Sequence, residues 1–143
     1  MTLTRFSVPL YEQAVIVAIG TPDEVKKWIL RTFDTGDDWD SSWLALSDGA
    51  AMGYNMKKDN TGRTVIYLNA KEMATPAYKE SRLINTATHE IFHANAKMLE
   101  AAEVAYDPEN HESHAYLMGW MCAKVLPTAL KAWASFKKER VKI

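Results

Sequence analysis

At 143 residues, with 48% hydrophobic and 24% charged side chains, the chain fits a single domain able to bury about two thirds of its unfolded surface, which excludes disorder. A formal net charge of −1 gives no global attraction to nucleic acid or an anionic membrane. The one cysteine, Cys122, excludes an internal disulfide and reads as a core residue of an apolar helix, not as a nucleophile.

In chain order, residues 14–19 form the first apolar run and read as a buried strand. The run is too short to span a bilayer and lacks a basic start and a cleavage site, so a cytoplasmic protein without an export signal is expected. Thr21-Pro22-Asp23-Glu24 opens a helix over residues 22–33. Carboxylates then gather around Gly36, between Asp34 and Asp40, without the spacing of a calcium loop; a solvated loop is expected. Residues 50–56 and 63–69 predict a hairpin around Lys57-Lys58-Asp59-Asn60-Thr61-Gly62.

From residue 77 to residue 102 there is no Gly or Pro, and Leu83, Ile84, Ala87, Ile91, Ala94, Met98 and Leu99 recur at three- and four-residue steps. This predicts a long amphipathic helix, with Thr75-Pro76 as its cap and first turn. At its middle stands His89-Glu90-Ile91-Phe92-His93, the H-E-x-x-H pattern. Four residues advance a helix by about 6 Å and turn it about 40° past a full turn. Both imidazoles can therefore reach one zinc ion, while Glu90 is offset toward a general base's position.

A catalytic zinc takes three protein ligands and leaves one position for water. Downstream, Glu103, Asp107, Glu109, His111, Glu112 and His114 are all possible donors. Pro108 and Asn110 fall in a connecting turn, and Tyr116, Leu117, Trp120, Met121, Ala123 and Leu126 restore a helical pattern with Glu112 in its first turn. A helix hairpin would return that turn toward the motif, leaving Glu112, His111 and His114 competing for one position. Pro127 separates or kinks the segment that follows. There Lys131, Lys137, Lys138, Arg140 and Lys142 surround Trp133 and Phe136, the pattern of a terminal helix that packs Leu130, Trp133 and Ala134 and leaves its cations in water.

His89-Glu90-Ile91-Phe92-His93 followed by Glu112-Ser113-His114-Ala115-Tyr116-Leu117-Met118-Gly119-Trp120 resembles the small gluzincin-type metallopeptidases encoded by phages and prophages, and more distantly the ImmA/IrrE-type peptidases. The resemblance is strong over residues 81–121 and weaker over residues 12–70. It implies an α+β, zincin-like (minigluzincin) fold: a small, mostly antiparallel sheet packed on the metal-site helix and a second ligand-bearing helix, with a C-terminal helix. It also implies that Glu112 is the third zinc ligand. Larger gluzincins place Asp or Asn where this chain has Tyr116, so Tyr116 either orients a zinc-bound imidazole or packs in the core. His111 and His114 either stabilise an oxyanion or face solvent. In such folds the edge strand before the metal helix captures substrate, which makes Tyr67, Leu68, Asn69 and Ala70 the expected peptide-binding segment unless that strand is paired on both sides.

The expectation is thus a zinc-dependent hydrolase acting on a peptide or protein, with Zn2+ held by His89, His93 and Glu112 and a metal-activated water deprotonated by Glu90. The alternative is a non-catalytic zinc-binding module that docks on a host component, in which His111 or His114 closes the fourth position.

Overall fold

The computed structural model describes residues 1–9, 13–109 and 111–141. Asn110, Lys142 and the side chain of Arg140, named above, lie outside the described residues. The chain is α+β. Strands β1 (Thr2–Val8), β2 (Gln13–Gly20), β3 (Phe33–Asp34), β4 (Gly49–Met56) and β5 (Gly62–Asn69) form one mixed sheet in the order β1-β2-β5-β4-β3. Among the described residues only the β2–β5 pair is parallel. Helices α1 (Pro22–Thr32), α2 (Trp43–Leu46), α3 (Ala70–Met73), α4 (Glu80–Ala101) and α5 (Glu112–Val141) complete the element list.

Strand pleating sorts the core into two faces. Val15, Val17 and Ile19 of β2 and Ile66 and Leu68 of β5 point toward α4 and α5, where they meet Leu83, Ala87, Ile91, Leu117, Met121 and Val125. The alternate residues Ala18, Val65 and Tyr67 point the other way, against Val25, Trp28 and Ile29 of α1 and Leu44 of α2. The sheet is therefore the middle of three layers, which is why β2 and β5 read as almost unbroken apolar runs.

Helix α1 starts as the sequence predicts. The Glu24 N–H donates to Thr21 Oγ1 at 3.3 Å and the Thr21 N–H donates to Glu24 Oε1 at 3.0 Å, a reciprocal capping box with Pro22 in the first turn. Helix α4 does not. Its N-cap is Lys79, with no side-chain cap, so Thr75-Pro76 lies before the helix. The chain instead makes a separate turn: Asn69 Oδ1 accepts from the N–H groups of Lys71 and Glu72 to cap α3, and Tyr78 is drawn fully into the core before α4 begins.

Helix α5 runs through Pro127 without a break, so the proline does not separate the terminal segment from the helix that begins at Glu112. Proline removes one backbone donor and crowds the carbonyl four residues back. Thr128 Oγ1 donates to the neighbouring Lys124 carbonyl at 3.1 Å, engaging an oxygen at the disturbed turn. Beyond Pro127, Leu130, Ala132, Trp133 and Phe136 pack on the body, whereas Ala134, expected to pack, is exposed. Among the described residues no helix is long and apolar enough to cross a membrane.

Candidate functional site

His89, Glu90 and His93 lie at the middle of α4, the helix that packs against β4 and β5. The rings of His89 and His93 rise from one flank, and their Nε2 atoms stand 3.1 Å apart. Two nitrogens each about 2.0–2.1 Å from one tetrahedral ion are separated by about 3.3 Å, so the observed spacing suits a shared metal. Both histidines are exposed, leaving this face of the helix open to solvent.

Glu90 behaves differently. It is 8% exposed, and its Oε1 lies 3.9 Å from His89 Nε2. Burial raises the carboxyl above its ordinary pKa, opposed by the nearby His89 and His93 rings and by the Ala51 N–H, which donates to it. Small residues of β4 make room for this carboxyl. A Cβ at Gly49 would stand 2.7 Å from the Tyr67 carbonyl oxygen, 3.1 Å from Thr86 Cγ2 and 3.3 Å from Glu90 Cγ. Just before Gly49, the Asp48 carboxylate receives two bonds from Arg82 of α4, at 2.6 and 2.7 Å, which fasten the start of β4 to the same helix.

The expected peptide-binding segment requires correction. Tyr67 faces Ala18 on one side and Ala50 on the other, and Leu68 faces Ile19 and Gly49, so β5 is paired on both flanks. Asn69 pairs with Gly20, its N–H donates to the Asp48 carbonyl, and Ala70 already belongs to α3. The hairpin places β4 outside β5, so the strand before the metal helix is internal. The unpaired edge near the site belongs to β4. Its short partner β3 reaches only Met56 and Asn55, and from Gly49 to Tyr54 no strand covers the outer side of β4 among the described residues. Sequence reasoning places a strand here but not its open edge, although the small residues Gly49, Ala51 and Gly53 at alternate positions signal a strand with room beside it.

The downstream donors are not gathered with the histidine pair. Glu112 is the exposed first residue of α5, and among the described residues no group of three or more His, Cys, Asp or Glu side chains is arranged to hold a metal. Helical phase gives the reason: Leu117, Met121 and Val125 define the buried stripe of α5, and nine residues separate Glu112 from Met121, a rotation of about 180° from that stripe. His111 and His114 pack on Tyr106 instead, the first stacked at 6.3 Å and the second edge-on at 5.3 Å between ring centroids. Tyr116 is 52% exposed and is not a core residue. Cys122 is partly buried, and burial pushes its thiol up, away from the thiolate a nucleophile needs.

Comparison of the chain with protein-family models, with curated proteins and with solved structures finds no match.

Proposed function

We propose that this chain is a zinc-dependent hydrolase, acting as a peptidase, on a zincin-like arrangement of sheet, metal helix and second helix. One observation carries the reading: two imidazole nitrogens converge to 3.1 Å on a solvent-open helix face beside a buried carboxylate. His89 and His93 would hold the ion, and Glu112, at the start of α5, is the proposed third donor. Bound there, zinc would lower the pKa of a water toward about 7 and polarise a carbonyl.

The remaining chemistry belongs to the protein's own groups. Glu90 takes the proton of the attacking water and returns it to the leaving amine. Burial raises its affinity for that proton, which suits it to both transfers. The open edge of β4 offers backbone groups to an extended peptide, beside the Ala51 N–H that holds Glu90. The non-catalytic alternative draws no support from His111 or His114, whose rings are occupied with Tyr106.

Purified wild-type protein, Glu90→Gln and His93→Ala test the proposal through metal content and hydrolysis of an unstructured polypeptide. Glu90→Gln is expected to retain zinc and lose hydrolysis, whereas His93→Ala loses both. Equal zinc content in wild type and His93→Ala would overturn the ligand assignment.

A further inference from the structure

Between α4 and α5, directly beside the histidine pair, a groove of about 520 Å³ is lined by Phe92, Asn95, Ala96, Tyr106, Ala115 and Met118, with His111 and His114, packed on the Tyr106 ring, completing the wall. Phe92 and Tyr106 are 63% and 64% exposed, an unusual state for two aromatic rings flanking one depression. Ala96 and Ala115 leave the space between the helices that larger side chains would fill. The Phe92 ring meets the His93 ring at 5.9 Å between centroids, so the groove adjoins the proposed metal site.

Its wall also carries an unanswered polar group. Asn95 is 5% exposed, and its Nδ2 donates to Met118 Sδ at 2.9 Å. Its Oδ1 is buried with no hydrogen-bond partner. A buried amide oxygen left unpaired is unfavourable, and native structures rarely keep one without reason. No Asp, Glu, Lys or Arg lines the groove, and its two ionisable side chains, His111 and His114, hold their rings against Tyr106, so no permanent charge faces an occupant. Short polar side chains would leave the apolar walls unfilled. The apolar walls and the unpartnered Asn95 oxygen together match a large aromatic side chain that carries a hydrogen at its polar end.

We infer that this groove is a specificity pocket for a tyrosine or tryptophan side chain of the polypeptide substrate, with the phenol O–H or indole N–H donated to Asn95 Oδ1. The inference rests on the peptidase reading for the word substrate, but the binding it describes needs no turnover. With Phe92 against His93, an occupant's backbone would lie alongside the histidine pair.

Titration of isotope-labelled full chain, followed by NMR, with N-acetyl-tyrosinamide, N-acetyl-tryptophanamide and N-acetyl-phenylalaninamide tests it. The tyrosine and tryptophan amides should perturb the Asn95 side-chain amide and the Ala96 and Ala115 methyls. They should bind about five- to tenfold more tightly than the phenylalanine amide, the effect of one net hydrogen bond. Asn95→Leu, which removes the unpaired oxygen, should erase that preference, and Ala115→Phe, at an exposed position, should abolish binding of all three. Equal affinity for the tyrosine and phenylalanine amides, an unchanged preference in Asn95→Leu, or perturbations confined to other surfaces would overturn it. The same samples assayed for hydrolysis separate the two ideas. Selective binding without hydrolysis leaves the pocket and removes the peptidase; hydrolysis without selective binding does the reverse.

Discussion

A single methyl group at position 49 would disturb a strand, a helix and the proposed general base together, since the Cβ would fall 2.7 Å from a β5 carbonyl oxygen and 3.3 Å from Glu90 Cγ. Gly49→Ala should destabilise the fold by about 1–3 kcal/mol, the usual effect of overpacking, measured by denaturant unfolding. Hydrolysis by the Gly49→Ala protein should fall further than its stability explains, because the carboxylate moves with the strand. At the opposite face, Thr21→Ala removes an N-cap and should cost about 1 kcal/mol at neutral pH. Its partner Glu24 adds a pH dependence: the Thr21 N–H first, then the chain's amino terminus, hold its carboxyl at about 2, below the ordinary 4.5. A lowered carboxyl favours the folded state fully above its unfolded value and loses that contribution as pH falls through the folded one. Acid titration should therefore show wild type losing this increment between about pH 4.5 and 2, and Glu24→Ala lacking that part of the transition.

Among elements, the two site helices were unequally legible. The motif helix could be read because Leu83, Ala87, Ile91, Ala94 and Met98 repeat at helical spacing and all are buried, which fixes His89 and His93 on the opposite flank. Its start is not legible, since Asn69 caps an intervening turn that leaves no periodic trace. Strand β1 is not legible either, because an outer strand exposes polar residues such as Thr2, Arg5 and Ser7 and carries little apolar pattern. The β4–β5 hairpin was found but not its placement in the sheet, because strand order depends on long-range pairing that local composition does not encode. Helix α5 carries the clearest consequence: its buried stripe turns Glu112 away, so recruiting Glu112 to the histidine pair requires the first turn of α5 to change. Zinc addition should therefore alter hydrogen exchange in the amides following Glu112 in wild type and leave them unchanged in Glu112→Gln, whose zinc affinity should also drop. Unaltered exchange in wild type with full zinc occupancy would assign the third position to another donor.

For the whole molecule, the three-layer arrangement separates support from chemistry. The face against α1 and α2 holds buried aromatics such as Trp28, Phe33 and Tyr67, whereas on the other side of the sheet α4 carries the histidines on its exposed flank. An ion that binds only the folded chain stabilises it by mass action, about 2.7 kcal/mol at a hundredfold excess over its Kd. Wild-type protein should therefore melt several degrees higher with zinc than with a chelator, and His89→Ala should show no difference, as calorimetry can establish. The parallel pairing of β2 with β5 has a further effect, on the order in which the molecule assembles. Val15 meets Thr64 across about fifty intervening residues, so the centre of the sheet closes late compared with its hairpins. During synthesis the apolar β2 must wait, with one flank uncovered, until the ribosome has released β5, and this interval is when the chain is most exposed to misassociation.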